Sequence, residues 1–167
     1  DRIEHAMQIS RRSNEPVIVL MLDLNRFKAI NDSLGHSVGD EVLRDVARRL
    51  RESLQNTEIL ARFGGDVFAV LVSTGGVSRA KNVVALIEKA LASPILTKGQ
   101  PIDLSASVGM AVFPGDASDA ATLIRHADIA MYVAKRGDAG FRAYEPEFDQ
   151  DKSSQLSLLG ELRTAVE

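Results

Sequence analysis

The fold turns on the stretch Thr57-Glu58-Ile59-Leu60-Ala61-Arg62-Phe63-Gly64-Gly65-Asp66-Val67-Phe68-Ala69-Val70-Leu71-Val72-Ser73. Two runs rich in apolar and β-branched side chains, 57–63 and 66–73, flank Gly64-Gly65. A glycine pair between such runs predicts a tight hairpin, because primed turns need positive φ at their central positions. Asp66 follows the glycines directly. Read alone, it serves a turn as readily as a ligand.

Outward from the hairpin the pattern alternates. Upstream, Pro16-Val17-Ile18-Val19-Leu20-Met21-Leu22 is continuously apolar rather than alternating, which predicts a strand buried on both faces and ending at Asp23. Between that strand and the hairpin we expect a short helix over 26–31 and a polar loop over 32–39 holding Gly35 and Gly39. A long helix over 40–54 should follow, with Val42, Leu43, Val46, Ala47, Leu50 and Leu54 at helical period. A further helix is expected at 1–13, closed by Pro16. Downstream of the hairpin, Gly75-Gly76 ends the second strand and a helix spans 77–91. A strand pair follows at 94–97 and 101–113, then a helix over 118–135 with Ser118 as its N-cap, and a short strand at 141–144. Residues 149–154 form a polar gap, after which Leu156, Leu159, Leu162 and Val166 suggest an amphipathic helix. Helices packed over a mixed sheet with a central antiparallel hairpin make an α+β fold.

Composition bounds the class. The 167 residues suit one domain, 45% of them are hydrophobic, and a formal charge of −3 argues against a general nucleic-acid binder. No cysteine is present, which excludes a disulfide scaffold and a thiolate zinc site. The longest early apolar run, 17–22, is far short of the ~20 residues a membrane span needs, so no membrane contact by this domain is expected. The chain opens on Asp1 rather than Met, and we expect an excerpt of a longer protein. The expected location is the cytoplasm, which is compatible with a parent protein anchored in a membrane elsewhere.

Asp23 ends a buried strand, where sheets of this kind place ligands, although it would equally cap the helix starting near Arg26. If that strand pairs with the hairpin, Asp23 and Asp66 meet at one sheet edge. Two carboxylates and an adjacent backbone carbonyl suit Mg²⁺, which keeps waters and binds through substrate phosphates. Gly64 and Gly65 would let a nucleotide approach the backbone closely. Lys28 offers a point charge, and the amides near Phe27 and Lys28 open a helical turn able to take an anion.

These residues resemble a family. The run Leu22-Asp23-Leu24-Asn25-Arg26-Phe27-Lys28-Ala29-Ile30-Asn31-Asp32, then Leu34-Gly35-His36 and Gly39-Asp40, resembles the first signature of GGDEF domains, the diguanylate cyclases of bacterial cyclic di-GMP signalling. Arg62-Phe63-Gly64-Gly65-Asp66-Val67-Phe68 falls where that family carries its name-giving motif. Ser107-Val108-Gly109-Met110-Ala111 and Ala127-Asp128-Ile129-Ala130-Met131-Tyr132-Val133-Ala134-Lys135 are similar to two further blocks. The resemblance covers 1–148; the family's usual opening stretch is missing, and 149–167 reads as a linker.

The resemblance implies a nucleotidyl-cyclase-like fold with a ferredoxin-like core and a mixed five-stranded sheet. It implies that Asp23, the Leu24 carbonyl and Asp66 bind Mg²⁺ (or Mn²⁺), with Asp23 and Asp66 also the catalytic pair. Asn31 and Asp40 would hydrogen-bond the guanine edge of GTP; Phe27, Lys28, Gly64, Gly65 and Lys135 would complete the substrate site, the two lysines on its phosphates. Synthesis in this family joins two GTP, each held by one copy of the domain, so a second copy is an expected partner.

The chain departs from the family at several positions. Val67 replaces the second acidic residue of the motif, and a valine neither ligates metal nor takes a proton. Asn25 replaces a frequent aspartate, and a phosphate-contacting arginine is missing near Ala139. The family's inhibitory product site would need an Arg-x-x-Asp where Gln55-Asn56-Thr57-Glu58 stands, so that site is expected to be absent. The tail resembles the helix that joins GGDEF domains to a following EAL phosphodiesterase domain, and an ordinary terminal helix is its plain alternative. His5, His36 and His126 form no metal set; His36 falls in the expected guanine loop. The leading reading is a degenerate domain that binds GTP with Mg²⁺ and regulates cyclic di-GMP turnover in cis with an EAL domain. Two readings stay beside it: an active cyclase that tolerates Val67, and a non-binding structural or dimerisation module.

Overall fold

The computed structural model describes residues 2–149. The expected helix carrying Leu156, Leu159, Leu162 and Val166 lies outside them. The elements run α1 (Arg2–Ser13), β1 (Val17–Leu24), α2 (Phe27–Leu34), α3 (His36–Ser53), β2 (Glu58–Gly64), β3 (Val67–Val72), α4 (Gly76–Leu91), β4 (Ile95–Thr97), β5 (Gln100–Ile102), β6 (Ala106–Phe113), α5 (Ala120–Arg136) and β7 (Phe141–Ala143). The five-stranded sheet has the order β2-β3-β1-β6-β7, antiparallel except for the parallel β6–β7 pair. The expected mixed α+β sheet is what the chain forms.

β1 sits at the centre because it has no polar face. Ile18, Leu20, Leu22 and Leu24 join the core under α2, α3 and α4, while Val17, Val19 and Met21 join a second core under α1 and α5. Burying each such side chain contributes ~1.5–3 kcal/mol, so the continuous run fixes both layers. Helix α5 lies close on β6 at Gly109, where an added Cβ would come within 2.0 Å of the Met131 amide nitrogen. That contact fixes α5, and with it Lys135, against the sheet.

Four expectations change. The 32–39 segment is helical: α2 runs to Leu34, α3 starts at His36, and only Gly35, at φ 88°, separates them. Buried Val38 supplies the anchor that the polar composition concealed. The hairpin turn is centred on Gly65-Asp66, because Gly64 still pairs with Val67 across an irregularity at Phe63. The strand pair expected over 94–113 divides: β4 and β5 form their own hairpin around Lys98-Gly99, both at positive φ, and β6 enters the main sheet separately. The α5 cap is Asp119 rather than Ser118, since Asp119 Oδ1 accepts from the Thr122 amide at 2.8 Å.

Candidate functional site

The sheet register brings Asp23 and the signature hairpin together. Asp23 is the cross-strand partner of Val67 on one side and of Ser107 on the other. The Leu24 amide donates to the Asp66 carbonyl at 3.2 Å, closing the end of β1 onto the turn. Arg62 holds that turn from the other side, its Nε and Nη2 donating to the Gly65 carbonyl at 2.9 and 2.6 Å. Gly65, at φ 53°, takes the left-handed conformation the turn requires.

Asp23 faces α5 on the same side of the sheet as Met21. There Lys135 Nζ donates to Asp23 Oδ1 at 2.6 Å. Burial pushes the Asp23 carboxyl above its usual range; the Lys135 ammonium pulls it back, and Asp66 and Asp128 push it further up. The net direction is upward because burial, the largest cause, together with the two neighbouring acids outweighs the one lysine. A divalent cation relieves that crowding, and its preferred donors are the oxygens Asp23, Asp66 and the Leu24 carbonyl would supply. Among the described residues no three His, Cys, Asp or Glu side chains converge on one point. The protein donors therefore suit an ion that takes part of its shell from water and phosphate, as Mg²⁺ and Mn²⁺ do.

The remaining expected residues lie on the α2–α3 side of β1. Phe27 is buried in the core, so its ring is not presented to a ligand and only its backbone amide could meet one. Arg26 precedes it at φ 61° and no side chain caps the helix, which leaves the first-turn amides of α2 open beside exposed Lys28. Asn31 Oδ1 is buried with no hydrogen-bond partner. A Cβ at Gly39 would come within 1.8 Å of that oxygen, so the α2–α3 approach depends on glycine there; Asp40, the next residue of α3, is exposed. An orphaned buried acceptor is of the kind that an N–H donor on a guanine edge could satisfy.

Sequence reasoning missed three supporting residues. Arg62 lies three positions before the glycine it holds, and Asp128 lies two helical turns before Lys135 on the same face; both spacings are visible in hindsight. Ser107 donates to Asn25 Oδ1 at 2.8 Å while Asn25 Nδ2 donates to Ser105 at 2.9 Å, so Asn25 ties β1 to β6. No local signal announces that pair. At the position of the product site, Glu58 is occupied: Arg79 binds both its oxygens at 2.8 and 2.9 Å, and the Gln55 amide adds a third bond. His36 begins α3, and His126 is buried, stacked on Tyr144 with ring centroids 3.9 Å apart. A groove of about 520 Å³ between α1 and β2–β3, lined by His5, Ile9 and Ile59, touches none of the expected site residues. A second, about 430 Å³ and bordered by Phe63, Val67, Ile124 and Asp128, flanks the Asp23 end of the sheet.

Residues 1–140 match the family model described as "Diguanylate cyclase, GGDEF domain". The chain is 36% identical over 168 residues to the bifunctional diguanylate cyclase/cyclic di-GMP phosphodiesterase MucR of Pseudomonas aeruginosa, covering 100% of this chain and 24% of that protein. It is 40% identical over 168 residues to the cyclic di-GMP phosphodiesterase PdeR of Escherichia coli, covering 100% of this chain and 25% of that one. The chain thus spans about a quarter of the length of these relatives. The crystal structure of the GGDEF domain of TpbB from Pseudomonas aeruginosa superposes with a TM-score of 0.83 at 38% identity, covering 86% of this chain and 91% of that one.

Proposed function

The chain belongs to the GGDEF family of diguanylate cyclase domains, and on that premise we propose that it binds GTP with Mg²⁺ or Mn²⁺ and regulates cyclic di-GMP turnover, with its own synthesis weakened or lost. One observation carries the reading. Asp23 and Asp66 meet at the end of β1, while the side chain beside Asp23 across the β1–β3 pair is Val67. Metal ligands are retained where a further acidic group is replaced.

In this reading Asp23, Asp66 and the Leu24 carbonyl hold the metal, which when bound would polarise a phosphate and lower the pKa of an attacking hydroxyl. Asn31 and Asp40 read guanine. Lys28, the amides of Phe27 and Lys28, and Lys135 take the phosphates, and Gly64 and Gly65 leave room for the nucleotide. The names of MucR and PdeR, one bifunctional and one a phosphodiesterase, support an EAL phosphodiesterase domain as the partner in the parent chain. Any catalysis would need a second copy of the domain, and the site of action is the cytoplasm.

Calorimetric titration with GTP in the presence of Mg²⁺ is the test. Saturable binding that ATP does not reproduce is the expected result; no binding at millimolar GTP would remove the reading. The retained pair Asp23 and Asp66 also favours a second reading, an active cyclase that tolerates Val67. Incubation with GTP followed by separation of products decides between them, since sustained cyclic di-GMP synthesis that Val67→Glu does not raise supports only the second.

A further inference from the structure

The contact between Lys135 and Asp23 has a consequence for how metal and nucleotide bind. Lys135 Nζ lies 2.6 Å from Asp23 Oδ1, on the carboxylate that the metal would take. The lysine side chain is 44% exposed and reaches the site from the last turn of α5, so it is free to swing; Asp23 is 16% exposed and fixed in the sheet. Around Asp23 stand two more acids, Asp66 and Asp128. Lys135 is the cation that pairs with Asp23.

A divalent ion on Asp23 would place two positive charges against the ammonium at contact distance, and both cannot hold the same oxygen at full strength. We infer that Lys135 is a counter-ion latch: it occupies the Asp23 carboxylate before metal arrives, is displaced by the metal, and passes to the phosphates of the incoming nucleotide. This deepens the proposed function and rests on it. Metal alone must break the Lys135–Asp23 pair and brings the ammonium no new anion. Metal with nucleotide breaks the same pair but gives Lys135 a new anion. The two ligands are thereby coupled beyond their direct contact, and by reciprocity each raises the affinity for the other.

The latch predicts opposite signs for one substitution, which a merely structural lysine would not produce. Mn²⁺ binding is read by electron paramagnetic resonance, first without nucleotide and then with GTP. In Lys135→Met, Mn²⁺ affinity without nucleotide should rise about fivefold, the factor that ~1 kcal/mol for a half-exposed ion pair gives. Affinity for GTP in the presence of Mn²⁺ should fall about tenfold, from loss of one charged phosphate contact. Lys135→Arg keeps the cation and should stay near wild type in both readings. Lys28→Met, which removes a lysine that makes no ion pair among the described residues, should lower GTP affinity and leave nucleotide-free Mn²⁺ affinity unchanged. If the wild type binds GTP with Mn²⁺ but Lys135→Met leaves nucleotide-free Mn²⁺ affinity unchanged or lowers it, the latch is overturned and the functional reading stands. If the wild type binds neither, both fall.

Discussion

Val67 is the residue directly opposite Asp23 in the β1–β3 pair, so their side chains share one face of the sheet. An acid placed there would join Asp23, whose carboxyl is already pushed upward by burial first and by Asp66 and Asp128 after it. Val67→Glu should therefore lower the stability of the metal-free domain, by about 1–2 kcal/mol. Saturating Mg²⁺ and GTP should restore more of that loss than they add to the wild type. Thermal melts with and without MgCl₂ and GTP measure both. Product separation on the same variant tests whether the valine limits synthesis: more cyclic di-GMP than wild type is expected.

Asn31 carries a signature that separates binding from folding. Its Oδ1 is buried without a partner, a condition that costs ~1–3 kcal/mol in a folded protein. Asn31→Ala removes that orphan and replaces asparagine with a better helix former inside α2. The variant should melt at or above the wild-type temperature while GTP affinity falls about 10–100-fold. A lower melting temperature with unchanged GTP affinity would make Asn31 a structural residue.

Arg62 is exposed and makes its two hydrogen bonds to the Gly65 carbonyl. Arg62→Ala should change stability by less than ~1 kcal/mol, as surface substitutions do. It should nonetheless weaken Mg²⁺-dependent GTP binding several-fold, because the turn that presents Asp66 loses its outer support. Calorimetry beside a thermal melt gives both numbers from one preparation.

The sheet was legible because its strands are apolar runs: β1 declares itself by having no polar position between Pro16 and Asp23. Gly64-Gly65 placed the hairpin to within one residue. Residues 32–39 were not legible, since Asp32, Ser33, Gly35 and Gly39 all favour turns locally. Tertiary packing of Val38, and a helix approach that Gly39 alone permits, overrode that preference. At the site, the carboxylates could be guessed from their places beside a strand end and a turn. The Lys135–Asp23 pair could not, because its partners are 112 residues apart and meet only once α5 is seated on Gly109.

The last prediction concerns Glu58, which stands where the family's product site would need an aspartate. Its side chain is 1% exposed, and the Arg79 guanidinium, with help from the Gln55 amide and Thr57 hydroxyl, holds its carboxyl below the usual range despite burial. A depressed folded-state pKa contributes stability that is present above the unfolded value, here 4.5, and is lost as pH falls through the folded one. At neutral pH, Glu58→Gln breaks a buried pair and leaves Arg79 without its partner, so it should destabilise the domain by about 2–4 kcal/mol. As pH falls below the unfolded value the wild type's advantage shrinks, and it is gone once pH passes the lower folded-state value and Glu58 protonates, so the two unfolding curves should converge. Urea denaturation from pH 7 to pH 3.5 follows the gap between them. A gap that stays constant across that range would show that the Arg79–Glu58 charge pair does not hold β2 to α4.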